Sequence, residues 1–444
     1  MELQSFARKT VNLARKLKLD DIELLLTDSR VLTARIENRD VNLQLREGIF
    51  TAGIRVLKKG RLGYVPVTEP NVDLVRTGIE AALARAGRAP YDRFVTIPKP
   101  AEVKTQDRKV ASLLGRPAKL RGLAQNVSGR AFKVKGVENV EGAVSVEVEE
   151  RLVHTMHSRT PARCVRTAFS AFADVNSQDF DFVVGRKLPS LDRVAGLGSA
   201  VARSLPKRTT TPGKEKMKGR TVPVILHPGM VEGILRNLVA EHVYASTVQD
   251  GMSRYKPGDR VAADCITLHD DGRAPWSDSA FPVDDEGTPS RRTTVIREGV
   301  LESLLYDRAS ALKDGVESTG NGRRRPVLIE DSHEAPVRCS CNDLFLAPGT
   351  TPLAKMVRSI KRGLMVKYLL GFHTANRTTG DFTNTLYMGR VIRNGRAVAL
   401  PEAGSWSVKG NALELLRNVS HVSRETMDVG SGRLPWVQVD LVVA

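Results

Sequence analysis

Two periods of apolar and polar positions alternate along the chain, and the places where the period changes delimit its elements. From Ser5 to Leu17, Phe6, Thr10, Leu13 and Leu17 fall on one helical stripe with basic residues outside it. Period-two runs follow at Ile22–Leu26, Val31–Ile36, Val41–Arg46, Gly53–Leu57 and Leu62–Val67, separated by polar or Gly-containing stretches, the pattern of an antiparallel meander. Asn71 to Ala86, preceded by Pro70, predicts a second helix with Val75, Ile79, Ala82 and Leu83 on its buried face. The Pro-interrupted stretch from Gly87 to Pro117 reads as mostly loop, and Lys119 to Phe132 as helix. Val144, Val146 and Val148 start a strand running towards His154, Cys164–Val175 is another, and Leu191–Leu205 is helical through Val194, Leu197 and Val201.

Pro206 to Arg220 is polar, basic and broken by Pro and Gly, so it is the expected linker. It divides the chain into an N-terminal α+β domain (1–205), a linker (206–220) and a β-rich C-terminal domain (221–444). In the second half, strands are expected at Thr221–Leu226, Cys265–His269, Thr293–Ile296, Val300–Tyr306, Asp343–Leu346, Val366–Leu370 and Trp436–Val443. Asn394-Gly395 marks a type I′ hairpin, and helices are expected at Thr351–Arg362 and Asn411–Val422. The fold class is α+β: a helix-plus-antiparallel-sheet domain followed by a mostly antiparallel one.

Composition narrows the classes. The 444 residues are 41% hydrophobic and 27% charged, as in ordinary globular proteins, and no run approaches the length of a membrane span. Met1–Lys18 has no apolar core of a secretory signal, and four cysteines make no disulfide framework, so a cytoplasmic location is expected. The net charge of +18 is spread among acids, and aromatics are 5% of residues, which argues against specific nucleic-acid binding.

The densest information lies between Phe281 and Pro326. Asp284, Asp285 and Glu286 precede the turn residues Gly287-Thr288-Pro289; a hairpin turns at Arg297-Glu298-Gly299; and Ser318-Thr319-Gly320-Asn321-Gly322-Arg323 is Gly-rich and then basic. Consecutive acids in a turn more often cap and face solvent than bind a cation. The glycine-rich loop Gly320–Arg325, lacking a following Lys-Ser/Thr, is not a P-loop but could hold a phosphate or a carboxylate on backbone N–H groups and guanidinium. In order and spacing, Asp-Asp-Glu-Gly-Thr-Pro, Arg-Glu-Gly-Val-Leu and Ser-Thr-Gly-Asn-Gly resemble the TldD/PmbA family, peptidase-related proteins historically called modulators of DNA gyrase. Gly53-Ile54-Arg55-Val56 and Lys59-Gly60-Arg61-Leu62-Gly63-Tyr64 resemble that family's N-terminal domain.

Met230–Val243 predicts an amphipathic helix with apolar rows at Met230, Ile234, Leu238 and at Val231, Leu235, Val239, Val243. The resemblance implies that in the catalytic branch this helix carries His-Glu-x-x-x-His, two zinc ligands and a general base. Here those positions are Asn237, Leu238 and His242; only the last histidine remains, and it is expected to be buried or hydrogen-bonded. Asn is a poor zinc ligand and Leu238 cannot take a proton. The branch's third ligand is a C-terminal cysteine, where Met427–Pro435 here has Gly and Ser. A regular helix would set positions 237 and 242 roughly 140° apart, so the motif needs a distortion that this chain is not expected to keep. His154 and His157 fall where strands turn and point to opposite faces, and Cys339-x-Cys341 has no second pair, so exposed or half-buried thiols are expected there.

The resemblance therefore implies the PmbA (TldE) branch: a subunit without catalytic residues, metal or cofactor, partner of a TldD-like zinc peptidase, presenting unfolded peptide in a cavity between subunits. Asp284, Asp285, Glu286, Gly287, Thr288, Asn321, Gly322 and Arg323 are the expected substrate-binding residues. Alternatives are a hydrolase with unrecognised residues, a DNA- or gyrase-associated modulator, and a self-sufficient homodimeric binding module. The apolar rows around Leu235–Val243 suggest more hydrophobic surface than one chain covers, hence a homodimer in isolation.

Overall fold

The computed structural model describes residues 2–444 apart from 99–102, 104, 206–216, 254, 275, 278–279, 325–332, 372–373, 400–405 and 430–431. Most of the expected linker thus lies outside the described residues.

The first sheet is antiparallel throughout, in the order β4-β3-β2-β1-β5-β6-β7. Its strands are β1 (Asp21–Glu37), β2 (Asp40–Lys58), β3 (Arg61–Val67), β4 (Gly87–Arg88), β5 (Val140–Thr155), β6 (Ala162–Val175) and β7 (Asp179–Gly185). The five short runs expected between Ile22 and Val67 are three strands. Between Ser29 and Val31 a bulge absorbs the polar interruption, so β1 continues instead of turning. The true turns fall at Asn38 and at Lys59-Gly60, where φ is positive. Helix Leu3–Lys16 buries Phe6, Val11 and Leu13 under one end of this sheet, together with helix Val72–Arg85. Helix Pro117–Ala131 covers the other end through Leu120, Ala124 and Val127. The helix expected over Leu191–Leu205 is broken at Gly196.

The second half contributes β8 (Arg220–Leu226), β9 (Leu268–Asp271), β10 (Arg292–Arg297), β11 (Val300–Leu301), β12 (Gly322–Arg324) and β13 (Val337–Cys339). It continues with β14 (Leu344–Leu346), β15 (Arg362–Leu370), β16 (Asp381–Arg393), β17 (Arg396–Ala399), β18 (Ser407–Asn411), β19 (His421–Asp428) and β20 (Gly432–Val443). Both glycine-marked hairpins form, with positive φ at Glu298-Gly299 and Asn394-Gly395. Among the described residues, β20-β18-β16-β15-β8 closes on itself because β8 also pairs with β20. The helix expected over Asn411–Val422 stops at Arg417, and the chain re-enters the sheet as β19.

Leu235, Leu238, Val239 and Val243 are buried by their own chain, against Leu226, Leu364, Val366 and Val437 among others. The surplus apolar surface expected there is absent, and with it that argument for a homodimer. Cys339, at the end of β13, and Cys341 just beyond it are likewise buried, not exposed, because both join the core of the second half. No helix among the described residues is long and apolar enough to cross a membrane.

Candidate functional site

The segment expected to be one regular helix starts as one, at Pro228–Ile234. It then widens into a π turn at Leu235–Val239, where the Ala240 N–H reaches the Leu235 carbonyl five residues back, and tightens to 3-10 at Ala240–Val243. The expectation of a regular helix is corrected here: the distortion is present. Leu238 is fully buried in the core. His242 is buried too, Nε2 donating to the Arg377 carbonyl at 3.1 Å with the ring beside Tyr255, and burial lowers its pKa. Asn237 is half-buried and donates through Nδ2 to the Gly233 carbonyl at 2.8 Å.

Asn237 borders a cavity of about 500 Å³ between the two sheets. The broken helix forms its floor with His227, Met230, Glu232 and Gly233. One wall is the end of β15, Lys367 to Leu370, followed by Gly371; the other is β7, through Phe180 and Phe182. Val429, from the segment where the resemblance places a cysteine ligand, completes the lining. Of the degenerate triad's surroundings, then, Asn237 and Val429 meet at the cavity, while His242 and Leu238 do not line it.

Charge in this cavity is paired. Lys367 bonds Asp179 at 2.8 Å, also donates to the Phe180 carbonyl, and lies 5.5 Å from the Phe180 ring centre. Glu232 takes Arg236 at 2.7 Å. His227 caps the helix, its Nδ1 accepting the Gly229 N–H at 3.1 Å, which leaves the proton on Nε2. Burial, aided by nearby Lys367, pushes its pKa down to about 4, so the ring is neutral at pH 7. Backbone groups are less fully used. β8 pairs with β15 only at Leu364–Val366, and β7 is the last strand of its sheet, paired with β6 alone. Among the described residues, the outer edges of Lys367–Leu370 and of β7 therefore have no strand partner; the Phe180 and Phe182 N–H groups turn instead to Asp179 and Asp181 at 2.9 and 2.8 Å, and the Leu369 N–H to Met230 Sδ at 3.3 Å.

The residues expected to bind substrate are elsewhere, and none lines this cavity. Asp284, Asp285 and Glu286 are 0%, 3% and 1% exposed, so the expectation of solvated acids is corrected. Asp284 does cap: it accepts N–H groups of Glu286, Thr288 and Gly322 at 3.0, 2.8 and 2.9 Å. The glycine-rich loop does receive carboxylates, and they belong to its own chain. Asp285 takes Arg323 at 3.2 Å, the Arg324 N–H at 2.8 Å and, from the first sheet, Arg151. Glu286 takes Arg55 of β2 at 3.0 Å and the Arg308 N–H at 2.8 Å; Arg55 in turn holds Glu23 of β1 at 2.5 Å. Burial raises the pKa of Asp284 and of Glu286; at Asp285 the arginines overcome burial and lower it. Asn321 is used up between Asp270, the Ser340 carbonyl and Thr319. Gly322 is dictated by contact, since a Cβ there would sit 2.3 Å from the Glu286 carboxylate. Gly287, at φ +85°, turns the acidic segment beside Ile97. This stretch fastens the two halves of the chain together. A part in holding substrate would require it to open.

His154 and His157 do not form a site. His154 is buried in β5, and His157 lies 3.6 Å from Asp21. No cluster of three or more metal-binding side chains occurs among the described residues.

A family model described as the PmbA/TldA metallopeptidase C-terminal domain matches residues 218–444, and one described as domain 1 of the same group matches residues 22–89. A metalloprotease TldD homolog of Buchnera aphidicola is 27% identical over 222 residues, which are 49% of this chain and 44% of that protein. The chain thus spans less than half the length of that relative. TldE from Thermococcus kodakarensis superposes with a TM-score of 0.81 at 23% identity, covering 99% of this chain and 100% of that one. A Thermotoga maritima protein described as a modulator of a DNA gyrase gives 0.80 at 22% identity, with both chains fully covered. At such identities the superpositions speak for the fold.

Proposed function

The chain belongs to the TldD/PmbA metallopeptidase family, and from that premise we propose that it is a non-catalytic member which holds unfolded peptide for a zinc-bearing TldD-like partner. One observation carries the reading: the cavity at the metallopeptidase helix is open while its chemistry is gone, with Asn237 and Leu238 where a ligand and a base would stand. Neither can activate a metal-bound water. The edges of β7 and of Lys367–Leu370, which no strand covers among the described residues, support peptide binding, because backbone pairing along an edge holds an extended chain irrespective of its sequence.

The test is reconstitution. The pure chain should leave an unfolded polypeptide uncut with or without zinc. Added to a TldD-type relative with an intact motif, it should raise zinc-dependent cleavage above that of the relative alone. Chelator-resistant hydrolysis by this chain alone would show that another set of residues does chemistry.

A further inference from the structure

The cavity has more definition than generic backbone capture needs. Phe180 and Phe182 alternate on β7 so that both reach its lining, and Met230 and Leu369 face them from the other half. Its rim continues into aromatic contacts that run across both sheets: Phe172 to Phe180 at 5.7 Å, Phe180 to Tyr368 at 5.6 Å, Tyr368 to Tyr387 at 6.3 Å. Phe172 and Tyr368 are 39% and 38% exposed, and neighbouring Leu370 is 41% exposed. Exposed apolar groups gathered at the mouth of a cavity mark a binding surface more often than chance does.

Charge decides which occupant fits. Lys367 is neutralised by Asp179 and Glu232 by Arg236, while His227 is an uncharged N–H donor. A free terminus or a charged side chain entering here would lose water and find no unspent counter-ion, whereas an uncharged apolar group finds aromatic faces. The strand edges on either side, which have no strand partner among the described residues, fit the backbone flanking such a group once it displaces the side-chain bonds of Phe180, Phe182 and Leu369.

Building on the peptide-holding reading, we propose that this cavity selects a bulky apolar side chain, aromatic above all, at an internal position of the bound peptide. Phe180, Phe182 and Tyr368 are its specificity-determining residues.

Gly233 supplies the test, because a Cβ added there meets nothing within 4 Å and so projects into open space beside the cavity. Binding to the full-length chain is measured by calorimetry with acetylated, amidated octapeptides of one background carrying Phe, Ala or Lys at the fifth position, and with free phenylalanine. The Phe peptide should bind at least tenfold tighter than the Ala and Lys peptides, and free phenylalanine should bind far more weakly. Gly233→Phe, which fills the space, and Phe180→Ala, which removes a wall, should each bring the Phe-to-Ala affinity ratio from at least tenfold to near one; a ratio unchanged in both variants overturns the proposal. Equal binding of all three peptides overturns the selection and leaves peptide holding intact. Binding of none overturns both. Free phenylalanine binding as tightly as the Phe peptide makes this a small-molecule pocket and also overturns the proposal.

Discussion

His227 sits at the junction of strand and broken helix, where its one accepted hydrogen bond fixes its tautomer and burial sets its titration. An unfolded imidazole titrates near 6.5, and this one near 4. Between those values the unfolded chain takes up a proton that the folded chain refuses. Stability present above pH 6.5 is therefore lost as pH falls towards 4, by at most about 1.4 kcal/mol per unit. His227→Asn keeps a capping oxygen and has no titration, so urea midpoints at pH 7 and 4.5 should lie closer together in the variant than in the parent. Gly322 gives a second expectation at this scale. Gly322→Ala drives a methyl into the Glu286 carboxylate and should cost several kcal/mol in chemical denaturation, against a few tenths for Gly115→Ala, where a Cβ meets nothing.

At the scale of elements, alternation and helical period locate most strands and helices, and the turn residues at Lys59-Gly60, Glu298-Gly299 and Asn394-Gly395 locate hairpins. Three features escaped. β7, read as Asp-Phe-Asp-Phe-Val-Val-Gly, alternates correctly, but two acids mask its apolar face. One of them, Asp179, is answered by Lys367 from the other half of the chain. The burial of Asp284–Glu286 rests on Arg55 and Arg151, partners 231 and 134 residues away, and no local rule sees them. The π turn leaves no mark on a 3.6-residue pattern, since each side chain keeps its hydrophobic or polar character. That turn bears on restoring the lost motif. Asn237 and His242 are five apart, an interval a π turn narrows, yet Asn237 borders the cavity while His242 turns to the Arg377 carbonyl, so the two side chains still do not converge. Leu238 and the absent thiolate are further obstacles. Asn237→His with Leu238→Glu should bind zinc weakly, cleave nothing and unfold several degrees below the parent, because a carboxylate enters a core position at 0% exposure. Zinc titration with thermal melts decides it, and zinc-dependent cleavage would show a site nearly intact.

For the whole molecule, three carboxylates (Glu23, Asp285, Glu286) pair with four guanidinium groups (Arg55, Arg151, Arg323, Arg324) where the sheets meet. Removing one partner strands a buried charge, and Arg55→Ala should cost about 3–5 kcal/mol, little altered by salt because the pairs are shielded from ions. A surface pair such as Arg260–Asp264 should yield under 1 kcal/mol and fade with salt.

The same junction bears on how the polypeptide can be divided. Each half leaves charges that only the other answers, so a gene cut between codons 206 and 216 should give two pieces that are insoluble apart and soluble when co-expressed. Such a pair would work as a conditional switch. Fused to two proteins of interest, the fragments would rebuild the cavity only when their carriers meet, and recovered peptide binding would report the encounter.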